Sequence, residues 1–89
     1  MSVSEPTQDR PTYRCPCCGC KTLRGRAAFE ICPVCWWEDD GQDEDDADLI
    51  RGGPNGSLSL RDAQQNYRSC GASEPVFVHR VRKPRPEEL

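Results

Sequence analysis

The chain has 89 residues, 35% of them hydrophobic, and a formal charge of −3. That length allows one small domain with a thin core, and so short a chain usually needs a metal or disulfides as a staple. No run approaches the roughly 20 apolar residues of a helical membrane span, and the acidic balance argues against general nucleic-acid binding, though a local basic face remains open.

The cysteine count is seven, an odd number, and Met1 to Pro6 hold no apolar stretch resembling a signal peptide. The expected location is therefore cytoplasmic, where thiols stay reduced and paired cysteines tend to hold metal. Charge is segregated along the chain. Residues 10–26 carry Arg10, Arg14, Lys21, Arg24 and Arg26 without an acid. Residues 38–48 carry Glu38, Asp39, Asp40, Asp43, Glu44, Asp45, Asp46 and Asp48 without a base, and Arg80, Arg82, Lys83 and Arg85 make the end basic again.

In chain order, residues 1–11 are polar, contain two prolines and read as a disordered tail. A single domain is expected over 12–83, followed by a frayed, proline-marked tail at 84–89. Tyr13 to about Glu38 forms the cysteine module, with Lys21 to Ile31 as a hairpin excursion between two cysteine turns. Apolar residues at period two make Ala27 to Ile31 a predicted short strand. The acidic stretch ends in Gly52-Gly53-Pro54-Asn55-Gly56, which must turn, because glycine tolerates positive φ and proline fixes φ near −65°. Ser59, with Asp62 three residues on, opens a predicted helix over 59–70 whose stripe is Leu60, Ala63, Tyr67 and Cys70, and Gly71 stops it. Val76-Phe77-Val78 reads as a C-terminal strand. The fold class is small α+β: metal-stapled, zinc-ribbon-like hairpins, one helix and a short last strand.

Two Cys-x-x-Cys pairs, Cys15/Cys18 and Cys32/Cys35, are separated by 13 residues. Four thiolates on two short turns can surround one tetrahedral Zn²⁺ and leave no coordination position open, which is the pattern of a structural site. In such turns backbone N–H groups point at the first sulfur. The prolines after Cys15 and Cys32 stiffen them, and Gly19 supplies a residue able to take positive φ. Trp36 stands where the second turn would have its glycine. Either that turn is less regular, or Trp36 begins a strand. Cys17/Cys20 is the rival first pair, with the same spacing but without the proline and trailing glycine. These two thiols are otherwise bystanders, or reactive groups activated by Arg14 and Lys21. His79 could replace one cysteine, although a lone histidine near a strand is more often solvated. Cys70 reads as a small buried apolar residue.

The acidic loop fails as a Ca²⁺ loop, since placing Gly41 at loop position six puts Trp36 at position one. It is a solvated loop, a docking surface for a basic partner, or a segment paired with Arg24, Arg26 and the C-terminal arginines. Trp36 and Trp37 would face opposite sides of a strand, one packing and the other free for contact.

Cys15-Pro-Cys-Cys-Gly19, Ile31-Cys-Pro-Val-Cys-Trp-Trp-Glu-Asp-Asp-Gly41, Gly52-Gly-Pro-Asn55, Ser59-Leu60, Ala63, Asn66-Tyr67 and Gly71 together resemble the bacterial cysteine-rich CPCC family. The resemblance covers roughly residues 13 to 86. It implies one domain, places Gly52, Gly53, Pro54 and Asn55 in a shared core with a structural role, and supplies no activity. Cys20 departs from the aromatic residue associated with that position.

The leading functional expectation is a non-catalytic zinc module that contacts another protein: the site is closed and no Ser/His/Asp or paired-acid constellation is visible. One alternative is redox chemistry, through iron at the same sulfurs or through Cys17 and Cys20. Another is nucleic-acid binding by the basic run, where Tyr13 alone could stack.

Overall fold

A computed structural model describes residues 11–89, so the tail expected at 1–11 lies outside the described residues except for Pro11. Strands β1 (Tyr13–Arg14) and β2 (Lys21–Leu23) pair antiparallel, with Tyr13 opposite Leu23, Arg14 opposite Lys21 and an irregularity between Tyr13 and Arg14. Between them lies the first cysteine turn. The amide of Thr12 donates to Leu23 O at 3.0 Å and extends the pairing beyond β1. β2 does not alternate in burial: Thr22 and Leu23 are both buried, one toward the sulfurs and one in the core.

The second turn also closes a short antiparallel ladder. Ile31 bridges Glu38, Asp39 N donates to Glu30 O at 2.9 Å, and Phe29 N donates to Asp39 O at 2.9 Å. The predicted strand over Ala27 to Ile31 is not formed. Ala27 and Phe29 take positive φ (58° and 61°), and Phe29 and Ile31 are 56% and 45% exposed. The segment curls around the Asp39 carboxylate, whose Oδ2 accepts the Ala27 amide at 2.8 Å. The alternating apolar residues therefore mark no core face.

In the acidic stretch, Asp43 caps a single 3₁₀ turn (Glu44–Asp46), accepting from Glu44 N at 2.9 Å while its own amide donates to Asp46 Oδ1 at 2.8 Å. The buried Gln42 gathers the loop, its Nε2 donating to Asp46 O and Leu49 O at 2.9 and 2.6 Å. The glycine turn follows: Gly52 and Gly53 adopt φ of 75° and 63°, values open to few other residues, and Gly53–Asn55 form one 3₁₀ turn.

Helix α1 (Leu60–Cys70) begins and ends on local signals. Ser59 Oγ accepts from Asp62 N at 3.1 Å, and the amide of left-handed Gly71 donates to Tyr67 O at 2.8 Å. Leu60, Ala63 and Gln64 are buried, and Tyr67 packs partly against the same core. Cys70, expected inside, is exposed, because the last helical turn runs beyond the small core. That core is Leu23, Val34, Trp37, Ala47, Leu60, Ala63 and the cysteines other than Cys70. Full burial of side chains such as Trp37, Leu23 and Leu60 contributes about 1.5–3 kcal/mol each.

After the helix the chain returns to the second cysteine turn. Ser73 N donates to Cys35 O at 2.7 Å and Arg82 N to Pro33 O at 3.1 Å. Between these anchors, Val76-Phe77-Val78 is not a strand. Pro75 starts a 3₁₀ turn (Pro75–Phe77), and Val76 is 69% exposed with no strand beside it. Residues 84–89 are not frayed either. Pro86–Glu88 form a 3₁₀ turn, Glu88 is buried, and both of its carboxylate oxygens accept from the Arg82 guanidinium at 2.8 Å. The result agrees with the small α+β class: one two-stranded hairpin, one helix and a cysteine cluster. Among the described residues no helix is long and apolar enough to cross a membrane.

Candidate metal centre

The two cysteine turns share one hydrogen-bonding plan. In the first, Gly19 N donates to Cys15 O and Cys15 N to Cys20 O, both at 2.8 Å. In the second, Trp36 N donates to Cys32 O at 2.7 Å and Cys32 N to Trp37 O at 2.9 Å. The residue after each second cysteine is left-handed, Gly19 with φ 80° and Trp36 with φ 72°. The second turn is therefore as regular as the first, although its left-handed position holds a bulky side chain, at a cost of about 1–2 kcal/mol. Neither expectation for Trp36 describes it: the turn is not irregular, and Trp36 starts no strand.

These turns face each other and bring the sulfurs of Cys15, Cys18, Cys32 and Cys35 within 4.8 Å of one another. Cys15 Sγ and Cys35 Sγ are 3.6 Å apart, and Cys18 Sγ and Cys32 Sγ 3.7 Å. Sulfurs bound at about 2.3 Å to one tetrahedral ion lie about 3.8 Å from each other, so this donor set fits such an ion. Cys15, Cys32 and Cys35 are buried and Cys18 is partly so. Val34 N points at Cys32 Sγ at 3.4 Å, and the Thr22 hydroxyl lies 2.9 Å from the same sulfur. Such contacts spread the charge of a thiolate ligand and hold it in place.

Four thiolates this close cannot all carry charge without a cation. The Cys32 thiol is pulled far down by hydrogen bonds from Cys15, then Cys18 and Cys35, with Thr22 adding to them. The Cys18 thiol is pushed up by hydrogen bonding with Cys15 and then Cys32, and Cys35 is pushed up by Cys15 and then Cys17. A divalent cation bound among these sulfurs would offset the repulsion between their thiolates. Tyr67, which packs against the cluster, is pushed up to about 12 by burial and then by the nearby thiolate charge.

Cys17 and Cys20 are buried in the same core and lie outside the four-sulfur group. Burial, the largest influence, pushes the Cys20 thiol up, which works against the activation expected from Arg14 and Lys21. Arg14 instead donates to Gly19 O at 2.7 Å. His79 is exposed and is not in the sulfur group. All seven cysteines are free thiols.

The glycine turn reaches this centre through Asn55. Its Nδ2 donates to Glu38 O at 2.8 Å, and Glu38 N donates back to Asn55 Oδ1 at 3.4 Å, so the side chain pins the segment leaving the second turn. Gln64 makes an equivalent link that sequence reasoning missed, donating from α1 to Pro16 O in the first turn at 3.0 Å. Its signal was present: Leu60, Ala63, Gln64 and Tyr67 lie at i, i+3, i+4 and i+7. The acidic loop pairs with Arg26, Arg51 and Arg61 rather than with the C-terminal arginines. Of the basic run, Arg24 pairs with Glu30 and Arg26 with Asp39 and Asp43. Those two cations are committed within the chain.

Hairpin, helix and sulfur cluster define a small cysteine-rich domain whose two turns could hold one metal ion between them. Residues 13–88 match the family model named cysteine-rich CPCC, and the chain belongs to that family. No curated protein and no solved structure matches it.

Proposed function

We propose that the chain is a small zinc protein whose metal is structural and whose work is to contact another protein. The observation carrying this reading is the closure of Cys15, Cys18, Cys32 and Cys35 within 4.8 Å, largely out of solvent. An all-sulfur tetrahedral set suits Zn²⁺, supplies every ligand and keeps no position for substrate, so the metal's role is to hold the two turns together. A reducing, cytoplasmic setting is consistent with seven free thiols. The role as a contact module, without catalysis, is favoured by a site with no open metal position. Nucleic-acid binding through residues 10–26 is disfavoured because Arg24 and Arg26 already serve carboxylates of the chain.

Elemental analysis of native protein tests the metal. One equivalent of zinc per chain, lost when any of the four cysteines is changed to serine, supports the reading. One equivalent of iron and a red protein would move the function to electron transfer at the same sulfurs.

A further inference from the structure

A left-handed tryptophan is an expensive residue to keep in a turn that glycine would serve, and strain of this kind collects at functional positions. Trp36 keeps part of its surface in solvent. Its ring lies 6.4 Å from that of Phe77 at an interplanar angle of 48°, and the Arg80 guanidinium sits 5.8 Å over it. Phe77 is flanked by Val76 and Val78, which are 69% and 38% exposed. Arg80 opens the stretch Arg80, Arg82, Lys83 and Arg85, with no acid between. Among the described residues, Arg82 alone of these four is salt-bridged, to Glu88.

We propose that Trp36, Phe77 and Arg80, with Val76 and Val78 beside them, form the contact surface for an acidic segment of a partner protein. The proposal rests on the reading of the chain as an interaction module and names where it binds and what it binds. Tryptophan and arginine are the side chains that most often dominate interfaces, and valines at the edge supply apolar area. With the ring held beneath it, the Arg80 guanidinium is steered, and a carboxylate can take its N–H groups in paired fashion. Arg80, exposed and without a salt-bridge partner among the described residues, gives the patch a positive group that selects an acidic partner. Single-stranded nucleic acid fits less well. One ring face is already occupied by Arg80, Phe77 leans against the ring at an angle, and the protruding valines offer nothing to a phosphate or a base edge.

The test pans a displayed library of random dodecapeptides on the metal-loaded full chain. Enriched peptides should carry Asp or Glu beside Leu, Phe or Trp. Binding of a synthesised enriched peptide, read by fluorescence anisotropy, should weaken by at least about tenfold in Trp36→Gly and in Arg80→Glu. It should also weaken with added salt, and change little in Arg68→Glu on the exposed side of α1. Trp36→Gly removes the left-handed strain, so that variant keeps its fold, and its metal content is measured on the same sample. Enriched peptides without acids, or binding that survives both substitutions, overturn this surface while leaving the interaction-module reading in place. No enrichment, or a single-stranded oligonucleotide that binds through Trp36 and Arg80 in place of the peptide, overturns both.

Discussion

Arg26 reaches across to Asp39, whose side chain has no exposed surface, and its Nε meets Asp39 Oδ2 at 2.9 Å. The same carboxylate accepts from Ala27 N at 2.8 Å and from Gly41 N at 3.1 Å. The guanidinium also donates to Asp43 Oδ2 at 2.8 Å and Gln42 O at 3.1 Å. One side chain thus joins the excursion after β2 to the acidic loop, and the acids there become part of the fold. Removing Arg26 leaves a buried carboxylate without its cation, so Arg26→Ala should cost about 3–5 kcal/mol. Asp39→Asn keeps the shape while removing the charge, and should cost less. Urea unfolding of the metal-loaded variants gives both values; a loss of under about 1 kcal/mol in Arg26→Ala would place this pair among surface bridges.

The features read correctly from sequence are those set by neighbours in the chain. Ser59 and Gly71 bound α1 through hydrogen bonds spanning three or four residues, and the cysteine spacing follows from the size of a single turn. The misread segments depend on distant partners. Ala27 to Ile31 looks like a strand until the Asp39 carboxylate claims its backbone. Residues 84–89 look frayed until Glu88 meets Arg82. Val76-Phe77-Val78 has strand-forming residues, but Pro75 starts a 3₁₀ turn there. Trp36 was hardest to foresee, because a left-handed tryptophan violates local preference and is held there by the turn's own hydrogen bonds.

Removing the metal proposed at the four sulfurs should unfold the chain. Binding at structural cysteine sites contributes about 10–16 kcal/mol at neutral pH, and a small domain is stable by only about 5–15 kcal/mol. Adding a strong chelator should abolish the near-UV circular dichroism of Trp37, which is wholly buried beside the cysteines. A metal-free chain with unchanged signal would show that the core stands without the centre.

Cys17 and Cys20 should behave differently from the four clustered cysteines. Cys17→Ser and Cys20→Ser should each retain one metal ion per chain, while a serine at Cys15, Cys18, Cys32 or Cys35 should lose it or weaken its binding severely. Placing a hydroxyl in these buried sites still costs about 1–3 kcal/mol of stability, because the hydroxyl is more costly to take out of water than the thiol it replaces. Metal content and thermal melting on the same samples separate the two effects. Metal loss in Cys17→Ser with retention in Cys15→Ser would exchange their roles.

Glu88 links stability to pH through the C-terminal turn. Both of its oxygens accept from Arg82 at 2.8 Å, and one also accepts from Arg85 N at 2.8 Å. The Arg82 guanidinium, chiefly, draws its carboxyl from 4.5 down to about 2. A carboxyl depressed in the folded state stabilises the fold in its charged form. That contribution is whole above about pH 4.5 and disappears as pH falls through about 2. Glu88→Gln removes it, at a cost of roughly 1–3 kcal/mol near neutrality. The gap between wild type and Glu88→Gln should therefore stay level above about pH 4.5 and close between there and about pH 2. Acid also strips metal from thiolates, so the gap is read only down to the pH at which both chains still hold it. Unfolding curves of the two chains at matched metal content measure the gap, and one that widened in acid would assign the docking of residues 84–89 to contacts other than Arg82 with Glu88.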